Sequence, residues 1–448
     1  MLNSPLGFSP QSDGFVSSLG VGWVRGFVSW AGLEPSQGVV DQFQLQALDD
    51  GIASLPPGTK VVLDVVSTPR WESGSSSPAA PPHSAADYAG FIHMIAARFA
   101  GRVAAWEIWN EEDAPLWWSG APDPSAYAAL LRAAYPAVKS ADPQAAVVLG
   151  GLTGNDYDFL SRLYDDGAEG SFDAVAVHTD TACNIASPYA FLRNGGTDSR
   201  ISRWSFLGYR EVHNTMLAHG DDKPIWMTEL GWNTSQNVCD SGMWAGQKAA
   251  GVNGDTQAAY LRQAYHCLAG DTYVQVAIWF GLTDSSHSGR SLDSYGLLNA
   301  DLGAKPAFAA MADYARNGDR LTDACGDFSG PTISLRAPTP NLRYHGPLPI
   351  VVNAQDSHGV YRISLLYDGH KLRNFSDRST PQSLDGRMVW QGAKHISVGS
   401  HTLTIQAIDT QGNVSSTSQK FVHTSERKKK KKHHHRHRRA HHKQAHHR

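Results

Sequence analysis

Residues 103–112 read VAAWEIWNEE, and this stretch anchors the reading of the whole chain. The first eight residues form a near-continuous apolar run, the pattern of a strand covered on both faces. The run ends abruptly on Asn110-Glu111-Glu112. Six further runs of this kind occur around it: GVGWVRGFVSW (20–30), KVVLDVV (60–66), AAVVLGG (145–151), FDAVAVH (172–178), KPIWMTEL (223–230) and VQVAIWFGL (274–282). Between them lie stretches with apolar residues at helical spacing, such as AADYAGFIHMIAARFAG (85–101), SAYAALLRAAYPAVKSA (125–141) and KPAFAAMADYARNG (305–318). Strands alternating with helices predict a parallel sheet built from βα units. Seven clear strands, with a poorly marked eighth around Leu6–Phe8, predict a (β/α)₈ TIM barrel over residues 1–325.

Strand ends matter in such a barrel, because catalytic groups sit at the C-terminal rim. Glu111 stands there, and so does Glu229, which closes PIWMTELGW (224–232). Retaining hydrolysis of a glycosidic bond needs one protonated and one ionised carboxyl group, about 5–5.5 Å apart. Two strand-end glutamates, distant in sequence but close around one barrel, meet that requirement. Asn110 is suited to donate to a sugar 2-hydroxyl, a contact that strengthens in the transition state. Glu107 shares Glu111's face one layer deeper, where it needs an ion-pair partner, with Arg25 or Arg70 as candidates. Glu112 reads as a solvated loop residue. Trp106 and Trp226 lie within strands and are expected to pack under the helices. Trp71, Trp117, Trp118, Trp232 and Trp244 follow strands, on the face where an indole can stack on a sugar ring.

These motifs resemble a clan A glycoside hydrolase, close to families 5 and 39, over about residues 20–315. The resemblance implies that Glu111, in its Asn-Glu pair, is the acid/base and Glu229 the nucleophile. It implies that Arg25 supports the nucleophile, that Trp279 lines the subsite of the cleaved sugar, and that His178 contacts the site. The His-x-Tyr that often marks strand six in such enzymes is matched at His178 but not at Asp180. The implied function is cleavage of β-linked O-glycosidic bonds by double displacement. A carbohydrate-binding or cell-surface adhesion protein on a degenerate barrel is the competing reading.

After Cys325 the pattern changes. Short alternating runs, LPIVVNAQD, YRISLLYDG and HTLTIQAID, are separated by turn residues and predict a small antiparallel β-sandwich over 326–425. GSHTLTIQAIDTQGNVSS resembles bacterial immunoglobulin-like modules, which usually act as spacers. Residues 426–448 are a Lys/His/Arg-rich low-complexity tail, expected to be disordered. The overall charge of −3 therefore averages two unlike parts, since residues from Arg427 onward hold 11 Lys/Arg and no acid while the rest carries −14. That tail suits electrostatic contact with anionic cell-surface polymer, with no specific nucleic-acid partner implied.

Cys183, Cys239, Cys267 and Cys325 form no metal-ligand spacing, and an even count suggests two disulfides. Three connectivities are open; pairing Cys183 with Cys239 and Cys267 with Cys325 keeps neighbouring loops together. No cofactor, metal or nucleotide motif stands out, and no apolar run is long enough to span a membrane. The start MLNSPLGFSP lacks a charged n-region and an apolar h-region. Secretion, which the cysteines and the sandwich suggest, then requires a trimmed or misplaced start.

Overall fold

The computed structural model describes residues 10–179, 183–195, 198–240, 245–285 and 293–425. The chain divides between Phe328 and Ser329 into two compact units. In the first, seven strands are parallel neighbours: β1 (Trp23–Ser29), β2 (Lys60–Val66), β3 (Ala105–Asn110), β4 (Ala146–Thr153), β5 (Ala174–His178), β8 (Ile225–Leu230) and β9 (Val274–Trp279). A short hairpin, β6 (Arg193–Gly195) and β7 (Asp198–Ile201), stands apart from this sheet. The sheet curls until β1 lies against β9, giving a (β/α)₈-type barrel. Leu6–Phe8, where an eighth strand was expected, lies outside the described residues, as does the basic tail.

Alternation along each strand sorts side chains between two cores. Val24 and Val28 of β1, Leu63 and Val65 of β2, and Trp106 and Ile108 of β3 join the core beneath the helices. The intervening residues point into the barrel. Its lower layer is apolar, built from Val62, Ala105, Val148, Ala174, Ala176, Trp226, Val276 and Ile278. Trp226 therefore corrects the sequence expectation. It lies inside the barrel, its ring centroid 5.1 Å from that of Trp23, because its place in β8 falls on the inward phase.

The surrounding helices follow from their caps as well as their apolar faces. Ser84 accepts from Asp87 N to start the helix Ala85–Arg98, and Asp123 accepts from Ser125 N and Ala126 N before Pro124–Ala141, with proline at the first turn. Two disulfides join Cys183 to Cys239 and Cys267 to Cys325, closing sequence separations of 56 and 58 residues. The first ties the loop after β5 to the loop after β8. The second ties the helix Gly254–Gly270 to the end of the barrel unit. No helix among the described residues is long and apolar enough to cross a membrane.

The second unit is a two-sheet sandwich. Its strands are β10 (Thr332–Ala337), β11 (Arg343–Tyr344), β12 (Leu348–Gln355), β13 (Val360–Tyr367), β14 (His370–Phe375), β15 (Ser383–Trp390), β16 (Gly399–Asp409) and β17 (Val414–His423). One sheet runs β10-β12-β15 and the other β11-β17-β16-β13-β14, antiparallel except between β11 and β17. Alternate residues Leu348, Ile350, Val352 and Ala354 of β12 meet Leu403, Ile405 and Ala407 of β16 in the core. Asp368-Gly369, both at positive φ, make the tight turn between β13 and β14 that an Asp-Gly pair favours.

Candidate active site

Above the apolar layer the barrel interior becomes polar, and Arg25 organises it. The guanidinium is fully buried, held among β1, β2, β3 and β8. Nε donates to Glu107 Oε2 at 2.5 Å, Nη1 to Glu229 Oε1 at 2.5 Å, and Nη2 to both Asp64 Oδ2 at 2.6 Å and Asn110 Oδ1 at 2.9 Å. Burial opposes the positive charge, but Glu107, Asp64 and Glu229 outweigh it and push the Arg25 pKa above its ordinary value. Three carboxyl groups share one cation, so the cluster is acid-rich. The excess shows at Asp64, whose pKa burial raises well above the usual range, with Arg25 opposing and Glu107 and Glu229 adding to the rise. Its Oδ1 has no hydrogen-bond partner among the described residues.

Glu111 emerges from a strained stretch of backbone. Trp109 and Glu111 both have positive φ, 72° and 48°, a left-handed conformation costing an L-residue roughly 1–2 kcal/mol. The side chain of Glu111 keeps 18% exposure, while that of Glu229 keeps 7%. One carboxylate oxygen from each, together with a ring nitrogen of His178, lie within 4.8 Å of one another. Burial raises the Glu111 pKa to about 7, with Arg25 and a hydrogen bond from Trp117 pulling the other way. Trp117 itself stacks on Phe27, centroids 6.0 Å apart and rings 2° from parallel, and the Arg25 guanidinium sits 4.8 Å over that Phe27.

His178 is buried, with Nδ1 3.0 Å from Glu111 Oε1 and Nε2 3.1 Å from Thr228 Oγ1. Thr228 donates onward to Glu107 Oε1 at 2.9 Å. Two local features allow this. Gly151 of β4 has no side chain where a Cβ would come within 1.9 Å of His178 Nε2. In β8 the register slips: Val177 pairs with Met227 but His178 with Glu229, so β8 carries one extra residue there. That bulge lets the consecutive Thr228 and Glu229 both serve the site.

The structure thus brings together Glu111, Glu229, Asn110, Arg25, His178 and Glu107, with Arg25 rather than the exposed Arg70 as Glu107's partner. Glu112 is a correction: instead of being solvated it is fully buried, and neither carboxyl oxygen has a hydrogen-bond partner among the described residues. It lies against Gly150, where a Cβ would meet its Oε2 at 2.2 Å. Burial and the neighbouring Asp113 raise its pKa well above the carboxylate range. A carboxyl group held this way opposes folding increasingly as pH rises past its unfolded value of about 4.3. Glu112→Gln is therefore expected to stabilise the protein at pH 8 by about 1–3 kcal/mol, with a smaller gain at pH 5. Urea unfolding at both pH values measures this, and a loss of stability at pH 8 would refute it.

The tryptophans divide differently from expectation. Trp232 is only 1% exposed, its indole N–H donating to Ala186 O at 2.8 Å, and Trp118 is only 3% exposed, so neither offers a free face. Trp279 is also enclosed, donating to Tyr295 O at 2.9 Å. Trp71 is half-buried against Trp30, whereas Trp117 stands beside Glu111. Asp180 and Trp244 lie outside the described residues. Sequence reasoning passed over Asp64 and Thr228. An acid inside KVVLDVV was the available signal for the first; nothing marked the second.

Comparison with known proteins places these features in a family. Residues 10–264 match the model of Cellulase (glycosyl hydrolase family 5), and residues 331–405 match that of a bacterial Ig domain. No curated protein matches the chain. Among solved structures it is similar to a family 39 glycoside hydrolase from Bacteroides cellulosilyticus WH2, at 18% identity and TM-score 0.54, over 85% of this chain and 76% of that one. It is also similar to a family 39 β-xylosidase from Caulobacter crescentus, at 17% identity and TM-score 0.51, over 80% and 77% of the two chains. A family 39 enzyme from Xanthomonas axonopodis pv. citri gives 15% identity and TM-score 0.51, over 85% and 88%. At such identities these likenesses speak to the fold, and the match over more than half the chain to the family: the protein belongs to glycosyl hydrolase family 5, a glycoside hydrolase whose barrel is followed by a bacterial Ig domain.

Proposed function

We propose that the protein cleaves β-linked oligo- or polysaccharides with retention, Glu229 acting as nucleophile and Glu111 as acid/base. The observation that carries this reading is the approach of one oxygen from each of the two carboxylates within 4.8 Å. Retaining pairs stand about 5–5.5 Å apart, whereas inverting pairs need roughly 6.5–9.5 Å to admit a water. Their surroundings also differ in the required sense. Glu229 is held by the Arg25 cation, which favours the ionised form a nucleophile needs, while burial keeps a proton on Glu111 up to about pH 7.

Glu111 protonates the departing oxygen as Glu229 attacks the anomeric carbon, giving a covalent glycosyl-enzyme. Glu111, now ionised, then takes a proton from the water that releases the sugar. Asn110, its Oδ1 fixed by Arg25, has its amide donors to offer the sugar 2-hydroxyl. Two disulfides support an oxidising compartment, so we place the enzyme outside the cytoplasm, with the tail contacting anionic surface polymer and the sandwich acting as spacer.

A panel of dinitrophenyl 2-deoxy-2-fluoro-β-glycosides tests the assignment by mass spectrometry of the treated protein. The expected result is a mass gain of one fluorosugar on the peptide containing Glu229. Glycan binding with no labelling by any member of the panel would instead favour a binding protein on an inactive barrel.

A further inference from the structure

The imidazole of His178 links Glu111 to a residue that is neither carboxylate, Thr228. Thr228 has one hydroxyl hydrogen and two neighbours, Glu107 Oε1 at 2.9 Å and His178 Nε2 at 3.1 Å. Glu107 is an acceptor, ion-paired through its other oxygen to Arg25. Directing the hydrogen elsewhere would strip a buried carboxylate oxygen of its donor and leave that oxygen desolvated and unpaired. The Thr228 hydroxyl therefore donates to Glu107 and can only accept from His178.

We propose that Thr228 is a positioning residue that fixes neutral His178 as its Nε2–H tautomer, leaving the Nδ1 lone pair to hold the acid proton of Glu111. This inference rests on the assignment of Glu111 as acid/base. Nδ1 is 3.0 Å from Glu111 Oε1, so with a lone pair on nitrogen the hydrogen between them belongs to the carboxyl group. The opposite tautomer would donate to Glu111 and favour its carboxylate, the wrong form for an acid. Once Glu111 has given its proton to the leaving oxygen, a carboxylate faces a lone pair. That repulsion drives Glu111 to recover a proton from water, as the second step requires.

The charged and titratable groups around the imidazole are those such a chain needs. Glu111 and Glu229 face Nδ1, the latter at 3.7 Å; Glu107 lies 4.0 Å from Nε2; Arg25 and Asp64 complete the cluster from β1 and β2. Burial lowers the His178 pKa, with Glu229 and Glu107 acting against it and Arg25 with it, a direction that favours the neutral ring.

Two measurements on the full chain test the proposal. Long-range proton–nitrogen correlations on protein labelled with ¹⁵N-histidine report the tautomer without any turnover, His178 being assigned by its loss in His178→Gln. The wild type is expected as Nε2–H and Thr228→Val as a mixture. In kinetics, Thr228→Val is expected to lower the pH of the basic limb by about one unit. It should also cut kcat/KM near pH 7 about tenfold for a poor leaving group, with little change for a dinitrophenyl one, while Thr228→Ser restores both. An Nδ1–H signal in the wild type overturns the proposal, and so does an unmoved limb with equal losses on both leaving groups. Absence of activity on every glycoside overturns the assignment of Glu111 instead, and leaves the tautomer readable.

Discussion

Glu229→Ala is expected to lower turnover of aryl β-glycosides on the order of 10⁵-fold while leaving the fold intact. The size follows from losing the covalent route altogether: removing a nucleophile that works as a unit with its partners costs about as much as removing the whole unit. Retained folding follows from the charge balance around Arg25. The guanidinium keeps Glu107 and Asp64 when Glu229 is gone, so no buried cation is stranded. The substitution even relieves an acid excess, in which three carboxyl groups share one guanidinium. Thermal unfolding within a few degrees of wild type, measured beside the kinetics, separates lost chemistry from lost structure. More than about 1% residual activity would rule out Glu229 as nucleophile.

Glu111→Ala should show a second signature, set by the leaving group. General acid catalysis contributes about 10²–10⁴-fold, so turnover of a substrate with a poor leaving group should fall by that factor. A dinitrophenyl leaving group needs no proton, so formation of the glycosyl-enzyme should barely slow and the intermediate should accumulate. The pH dependence carries the sign. Glu111 must be protonated to act as acid, and burial places its pKa at about 7, so wild-type kcat/KM falls as pH rises through 7. The variant should lose that basic limb. A limb near pH 7 that survives in Glu111→Ala would assign it to another group.

The barrel and its two glutamates were legible because they depend on patterns that strands and chemistry impose locally. A strand covered on both faces must be apolar throughout, and a strand-end acid interrupts that pattern visibly, as in WEIWNEE and WMTEL. Glu112 failed for the same reason. Next to Glu111 it reads as one more rim acid, and only the left-handed backbone at Trp109 and Glu111 turns it inward against Gly150. The enclosure of Trp232 and Trp118 was not legible, because a loop's position in sequence says nothing of what closes over it. The glycine pair in AAVVLGG was a readable clue of a different kind. Glycine inside a strand signals a close approach, though not which side chain approaches.

The order of elements and the sandwich were determined by the sequence alone, which also singled out the two strand-end glutamates as candidates. Period-two and period-3.6 patterns are local, and burial enforces them. The tertiary structure decided which groups surround each acid. Arg25 gathers Glu107, Asp64 and Glu229 from three other strands, and an extra residue in β8 sets Thr228 beside His178. Electrostatic effects of this kind depend on distances of a few ångströms between groups far apart in the chain, and on how completely water is excluded around them. Neither quantity is written in any single stretch of residues.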